Sequence, residues 1–345
     1  MVAAATAANT RLIDMNIAFH TLSPPPVIPG TDAAFQDIQT LQSVFGGTIL
    51  HLFPLRHPTR WFPKPMYGLH RLNDISRLDR SHDMHFVSYA TLYAFPYLAI
   101  VNKPLCYQVL GSLDGARPPP SWLKNKLKFL LVNTAHDAEV ARSWGITGVH
   151  CIPPGIDTSR FTPSPPPPSE PFTLLAGSAP WTTEQFRLKG FDILLDLIAR
   201  QPDMRLILLW RGYVRKTLDS LVASKQLTDR VEILDCFVNV NDVLTRAHAA
   251  VVLAASPRIV KAYPHSLLEA LAAGRPVILS AVLPMSDYVT THQCGTIVKE
   301  LTLTDLSAAV SRMRHDYDRL ARGAGEAGRH FDRAAMVLRY KELFV

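Results

Sequence analysis

The chain has 345 residues, of which 48% are hydrophobic and 19% charged; this excludes a disordered polypeptide and suffices for about two domains. Lys and Arg outnumber Asp and Glu by 36 to 29, giving a net charge of +7, and no block of like charges predicts a nucleic-acid-binding arm. The four cysteines lie far apart without a C-x-x-C pair, which argues against a zinc ribbon, a redox dithiol and a disulfide framework.

The N-terminal sequence, MVAAATAANTRL, has neither the basic start nor the long apolar stretch of a signal peptide. The longest apolar run, residues 89–101, contains Pro96 and is too short to span a bilayer. A cytoplasmic protein is therefore expected.

The first half alternates predicted strands and helices. One helix is expected over residues 31–45, ending at the glycine pair that starts with Gly46, and another over 135–144, capped by Thr134. The predicted strands are residues 13–20, 48–55, 84–87, 105–110, 129–132 and 149–152.

A proline cluster at Pro163–Pro171 separates the two halves. Such a run favours polyproline II and cannot enter a helix or a central strand. We interpret it as a linker between an N-terminal domain, residues 1–165, and a C-terminal domain, residues 166–345, with the last helix crossing back to the first domain.

The second half repeats the alternation with solid apolar strands, which are typical of parallel sheets covered by helices on both faces. We therefore predict an α/β protein of two Rossmann-like, doubly wound domains facing a cleft, with ligands beyond the carboxyl ends of the strands. The predicted strands are residues 172–176, 205–210, 231–234, 249–254 and 276–280, and the predicted helices are 190–199, 214–227, 240–248 and 266–273.

One candidate ligand segment follows the first strand of the second half. Gly177 and Ser178 are small enough to let the backbone approach a ligand. After a predicted loop over residues 181–186, Arg187 and Lys189 open a helix, and together with its free amides they would suit a diphosphate. The alternative is an ordinary loop with two solvated basic residues.

A second candidate segment covers residues 261–278. Ser266 is expected to cap a helix whose free amides face the cleft, and Glu269 to lie in its first turn. A glutamate that only stabilises the helix is the alternative. That reading does not account for the whole string, which continues through Gly274 into a buried strand.

These segments, in this order, resemble a family-4-type retaining glycosyltransferase of GT-B architecture. The family's "vipxGvDxxxFxP" signature is matched by residues 152–163, its "KG…LL" segment by 189–195, its "LLEAxAxGxPV" segment by 267–277 and a late glycine by Gly295. The resemblance is strong over residues 130–300 and faint over 1–129.

The resemblance implies a role for each matching residue. Glu269 would bind the ribose of a nucleotide sugar, and Lys189 would hold the diphosphate together with Arg187 or Arg211. Backbone groups of the helix start would meet phosphate or sugar. The implied donor-binding residues are Gly177, Ser178, Arg211, Phe237, Val238, Ser266, Leu267, Leu268 and Glu269, and the implied catalytic residues are Arg187, Lys189 and Lys261.

Two positions depart from the family pattern. The first glutamate of its E-x7-E motif is replaced by Lys261, which cannot accept hydrogen bonds from sugar hydroxyls. The histidine that often follows a first-domain strand is missing from residues 107–112. Other candidate histidines are His20, His82, His85 and His136, although a lone histidine is more often structural.

The implied function is transfer of a sugar from a nucleotide diphosphate to an acceptor hydroxyl, with retention of anomeric configuration and with no cofactor or metal. The acceptor would be a saccharide, a lipid-linked sugar or a small molecule. Two alternatives remain open: a GT-B nucleotide-sugar epimerase and a nucleotide-sugar-binding protein without transferase activity.

Residues 117–129 interleave Trp122 and leucines with lysines. Such a basic amphipathic element is compatible with peripheral contact with an anionic membrane, here the inner face. A short surface helix packed by its apolar side is the alternative.

Overall fold

The structure is a computed structural model that describes residues 15–23, 32–54, 62–210 and 214–344. Its described residues form two six-stranded sheets, and every strand pair within them is parallel. The strand order is β2-β1-β3-β4-β5-β6 in the first sheet and β12-β11-β10-β7-β8-β9 in the second. The predicted fold class, two doubly wound α/β units, is thereby confirmed.

The first sheet has helices on both faces. Short 3-10 helices lie at Lys64–Met66, Leu69–Arg71 and Pro96–Ile100. Its strands are β1 (Ile17–Thr21), β2 (Gly47–His51), β3 (Met84–Tyr89), β4 (Leu105–Val109), β5 (Leu127–Val132) and β6 (Val149–Cys151). Its helices are α1 (Ala33–Phe45), α2 (Leu72–Ser81), α3 (Ser121–Lys126) and α4 (Ala135–Ser143).

Capping residues set the ends of these helices. The Asp32 carboxylate accepts hydrogen bonds from the amides of Ala34 and Phe35, at 2.8 and 3.1 Å, and so begins α1. Gly46 ends α1 with a φ of +76°, a conformation that favours glycine. Thr134 caps α4 as predicted, because its hydroxyl accepts a hydrogen bond from the amide of Asp137.

The second sheet begins after the proline cluster. Its strands are β7 (Phe172–Ala176), β8 (Met204–Leu209), β9 (Val231–Leu234), β10 (Ala249–Val252), β11 (Val277–Ser280) and β12 (Gly295–Val298). The helices are α5 (Thr183–Leu188), α6 (Phe191–Arg200), α7 (Arg215–Ser224), α8 (Val240–Leu244), α9 (His265–Ala272), α10 (Met285–Thr291), α11 (Leu303–His315), α12 (Tyr317–Gly328) and α13 (Arg333–Phe344).

Three local predictions were wrong. Most of the predicted loop over residues 181–186 is helix α5, because the Thr182 hydroxyl caps its start. Helix α9 begins at His265 after Pro264, without a side-chain cap, so Ser266 is not the cap and Glu269 lies beyond the first turn. In residues 117–129 the structure has the short helix α3 with Leu123 buried, which agrees with the alternative of a packed surface helix, and β5 begins at Leu127, two residues before the predicted strand.

The proline cluster forms no helix or strand, in keeping with the linker interpretation, yet it is fixed to the second half. The guanidinium of Arg275, which is 1% exposed, donates to the carbonyls of Ser164 and Pro165 and to the Ser164 hydroxyl, at 3.1, 2.9 and 2.7 Å. The same side chain donates to the carbonyl of Leu244 at 3.0 Å. The domain boundary at residue 165 stays a prediction.

Helix α13 packs against the first sheet. Its buried residues Met336, Tyr340 and Phe344 belong to one hydrophobic cluster with Ile17 of β1 and Phe86 of β3. The last helix therefore joins the core of the first half, although it follows the second half in the sequence.

No helix among the described residues has the length and hydrophobicity that crossing a bilayer requires.

Candidate functional site

A cavity of about 700 Å³ lies between the two halves, at the carboxyl ends of their strands. The connection direction reverses between β1 and β3 in the first sheet and between β7 and β10 in the second. Ligands of doubly wound sheets bind in the crevice at such reversal points. Residues that follow β1, β3, β7 and β10 all line this cavity, so the two crevices face each other and form one site.

Most residues predicted to bind the donor line this cavity, and three described ones do not. Arg187 is exposed on α5, outside the lining, and Leu267 and Leu268 are fully buried in the core of the second half. Arg211 lies outside the described residues. The predicted residues that line the cavity are Gly177, Ser178, Lys189, Phe237, Val238, Lys261, Ser266 and Glu269.

The loop after β7 lies directly against the start of α9. A Cβ added to Gly177 would come within 2.8 Å of the Ser266 Cβ, closer than such atoms approach in proteins. A side chain at residue 177 would therefore push apart the two segments that form this wall of the cavity. Glycine is required here by the close approach rather than by its backbone angles.

Lys189 holds the same loop from the other side. Its side chain is 7% exposed, and its ammonium donates to the carbonyl of Ala179 at 3.0 Å and to that of Ser178 at 3.4 Å. Gly190 follows with a φ of +63° and turns the chain from α5 into α6. The ammonium thus lies at the cavity edge and fixes the loop that borders it.

Lys261 and Glu269 are both half-buried and line the cavity. The Nζ atom of Lys261 is itself buried. The following residue crosses to the first half, where the amide of Ala262 donates to the carbonyl of Leu110 at 3.0 Å. With Arg160, Lys189 and Arg258, the lining holds four basic side chains against the carboxylates of Asp32 and Glu269, which favours an anionic ligand.

His265 is a cavity residue that sequence reasoning missed. Its Nε2 lies 3.4 Å from a carboxylate oxygen of Asp37 on α1, and both side chains are buried. Burial lowers the pKa of His265; Asp37 opposes this shift, and the nearby Lys261 and Arg333 add to it. This contact joins the start of α9 to the first half. In the sequence, the position of His265 beside Ser266, within a candidate ligand segment, is the only indication of a role for this histidine.

The wall from the first half has a different character. It includes Tyr67, Tyr89 and Gln36, and no sequence motif predicts any of the three as a site residue. Burial raises the pKa of both tyrosines, so their hydroxyls stay protonated and can donate hydrogen bonds. Such groups suit an uncharged polar ligand.

None of the four candidate histidines lines the cavity. His20 and His85 are buried inside the first half, where their rings share a hydrogen bond of 2.9 Å. His82 contacts Thr48, and His136 is exposed. These residues are structural or solvated, as the alternative interpretation held.

The described residues contain no group of three or more His, Cys, Asp or Glu side chains arranged to hold a metal ion.

Comparison with known protein families gives a match within the second half. Residues 184–331 match the family of glycosyl transferases group 1. No curated protein matches the chain in sequence.

Solved glycosyltransferases share the fold of the whole chain. HepE from Anabaena, solved with UDP and glucose, is 16% identical with a TM-score of 0.72, over 96% of this chain and 99% of HepE. Sucrose-phosphate synthase from Thermosynechococcus elongatus is 17% identical with a TM-score of 0.69, over 96% and 98%. The lipopolysaccharide outer core galactosyltransferase WaaB, in its apo form, is 14% identical with a TM-score of 0.67, over 96% and 99%.

The cleft position of the cavity, the matched segment and the shared fold agree with the resemblance seen in the sequence motifs. The chain has the GT-B fold, and residues 184–331 of its second half match the glycosyl transferases group 1 family.

Proposed function

We propose that the chain is a glycosyltransferase that moves a sugar from a nucleotide diphosphate to an acceptor hydroxyl with retention of anomeric configuration. The observation that carries this proposal is the cavity at both strand-reversal points, whose second-half wall lies largely within the group 1 segment. HepE, which shares the fold, was solved with UDP-glucose. UDP-glucose is therefore the first donor to test.

The nucleotide would lie along the second-half wall. Glu269 would accept hydrogen bonds from the ribose hydroxyls. Phe237, which is 64% exposed at the cavity edge, offers a ring for the base to stack on. This placement uses residues that the cavity brings together, whereas the side chains of Leu267 and Leu268 contribute only to the core that supports them.

The diphosphate would lie near Lys189 and Lys261 rather than near the exposed Arg187. Transfer breaks the bond between the anomeric carbon and the phosphate oxygen and forms a bond from that carbon to the acceptor oxygen. The acceptor's proton passes to the leaving phosphate, on the same face of the sugar. Cations at the cavity wall stabilise the charge that develops on the diphosphate, so we expect no metal requirement.

The acceptor would enter beside the first-half wall. Protonated tyrosine hydroxyls at Tyr67 and Tyr89 suit the hydroxyls of a saccharide, a lipid-linked sugar or a small molecule. A cytoplasmic location gives access to nucleotide sugars and is part of the proposal.

Incubation with a panel of nucleotide sugars, starting with UDP-glucose and with and without EDTA, tests this function. Release of the nucleoside diphosphate with an α-linked product from an α-linked donor, by NMR, supports retaining transfer. A changed sugar with the nucleotide still attached would mean an epimerase. Binding in calorimetry with neither reaction, across acceptor mixtures, would mean a nucleotide-sugar-binding protein.

A further inference from the structure

Large hydrophobic side chains are exposed mainly on one part of the first half. Eight such side chains are exposed among the described residues, and five of them fall between residues 66 and 122. These five are Met66, Leu69, Leu72, Ile100 and Trp122.

The five residues share one face of the first sheet. The elements that carry them bury their inner residues, such as Tyr67, Leu98 and Leu123, in a single hydrophobic cluster. The opposite face of the sheet is covered by α1 and α13, whose inner residues form a separate cluster. The exposed side chains therefore point outward from one layer of helices.

Contacts between neighbouring elements make this layer continuous. A Cβ on Gly68 would lie 2.6 Å from the ring of Tyr97, so the turn between Met66 and Leu69 packs on the helix that ends at Ile100. The Asp79 carboxylate on α2 accepts hydrogen bonds from the amides of residues 102 and 103. The Lys126 ammonium on α3 donates to three carbonyls of residues 98–101.

The same segment has a large share of the net positive charge of the chain. Residues 62–128 contain nine Lys or Arg and four Asp or Glu, a net charge of +5 out of +7. Of the four acids, Asp79 is buried and Asp74 is paired with Arg71 and Arg77. Lys64, Arg80 and Lys103 are exposed in the same segment as the hydrophobic side chains.

We propose that this surface, defined by Met66, Leu69, Leu72, Ile100 and Trp122 with Lys64, Arg80 and Lys103 and called the basic apolar face, docks on an anionic lipid membrane. Exposed apolar side chains among cations fit the boundary between lipid headgroups and acyl chains. Of residues 117–129 only Trp122 belongs to this face, because Leu123 is buried and Lys126 is engaged with protein carbonyls.

Docking would bring the cavity close to the lipid surface. Tyr67 lines the first-half wall of the cavity, and its neighbour Met66, 47% exposed, belongs to the basic apolar face. An acceptor carried by the membrane would thus approach from the side assigned to the acceptor. The membrane contact itself does not depend on the transferase reaction, so it is measurable without any sugar.

Co-sedimentation of the full chain with vesicles tests the proposal. Binding to an equal mixture of phosphatidylcholine and phosphatidylglycerol is expected, with loss in high salt and little binding to phosphatidylcholine alone. Met66→Ser with Leu69→Ser should lower the partition coefficient about tenfold. Lys64→Glu with Lys103→Glu should lower it by about fivefold for each cation removed.

Matched controls distinguish the contribution of this face to vesicle binding from the contribution of the overall charge and hydrophobicity of the chain. Arg200→Glu with Lys216→Glu makes the same change of net charge on exposed residues of the second half, and Val282→Ser with Leu338→Ser removes two exposed apolar side chains elsewhere. Both controls should bind like the unaltered chain. The proposal would be overturned by equal binding of all variants, by an equal loss in the controls, or by no binding to anionic vesicles. UDP affinity in calorimetry reports separately on the proposed function.

Discussion

The two halves have similar parallel sheets but place their buried polar side chains differently. In the first half, His20 and His85 lie inside the core, with Tyr97 and Asp79 as further partners, and none of these side chains lines the cavity. In the second half, Arg275 and Lys189 instead hold the linker and the loop that borders the cavity. Buried polar groups thus stabilise a core in the first half, whereas in the second half they hold a linker and a loop at the cavity edge.

This difference separates two kinds of variant. Changes to the polar core of the first half should alter stability and its pH dependence while leaving nucleotide affinity unchanged. Changes to cavity residues of the second half should alter nucleotide affinity with little effect on stability. Arg275 is a second-half residue that does not line the cavity. A variant of it should therefore alter stability, like the variants of the first-half core.

Arg275→Met is expected to have the largest effect. The methionine keeps much of the apolar volume but leaves the carbonyls of Leu244, Ser164 and Pro165 without this donor. At about 1 kcal/mol for each of these three carbonyl bonds, the free energy of unfolding should fall by roughly 3 kcal/mol in urea titrations. Arg200→Met, at an exposed position, is the matched control. A loss no larger than that of the control would show that the linker needs no such anchor.

Glu269→Ala should weaken UDP binding by roughly 1.5–3 kcal/mol if the carboxylate accepts ribose hydroxyl bonds. Isothermal calorimetry measures this loss, and thermal unfolding checks that the fold is retained. Glu326→Ala removes the same charge from an exposed position on α12 and should bind UDP normally. An unchanged UDP affinity in Glu269→Ala would remove the residue from the binding site.

The polar core of the first half should make the chain less stable in acid. Burial lowers the pKa of His85 to about 4 and lowers the pKa of His20. Because the unfolded histidines titrate near 6.5, the unfolded state binds more protons below that pH. Stability is therefore full above pH 6.5 and is lost as the pH falls toward 4, by about 2 kcal/mol at pH 5 for His85 alone.

Urea titrations from neutral pH down to pH 5 measure this loss. His85→Gln should flatten the pH dependence, and His315→Gln, at a side chain that is 87% exposed, should leave it unchanged. UDP affinity at neutral pH should be normal in both variants. If His85→Gln has the same pH dependence as the unaltered chain, His85 is not the source of the loss of stability in acid.

The sequence predicts those features that local patterns determine. Solid apolar runs predicted β7 and β9 with their observed bounds, and strand ends located Gly177 and Lys189 beside the cavity. Contacts between distant segments leave no such pattern. The pairing of Asp37 with His265 is one example, and the position of Tyr67 on the first-half wall is another. Both depend on how the two halves face each other, which no short run of residues encodes.

Lys261 provides the last and smallest test. The Nζ of Lys261 is buried, and the residue lines the cavity together with Lys189 and Arg258. It adds positive charge where the family that the chain resembles has a glutamate. We expect such a cavity to bind the diphosphate more strongly, or to favour a donor whose sugar is itself anionic, such as a uronic acid. Lys261→Met should lower UDP affinity about fivefold, and Lys261→Glu should lower it further and reduce activity with the natural donor. If UDP-glucuronic acid loses more affinity than UDP-glucose in calorimetry with Lys261→Met, the lysine contacts the sugar carboxylate, whereas equal losses place it at the diphosphate. Activity of Lys261→Glu equal to that of the unaltered chain would mean that the lysine contributes to neither.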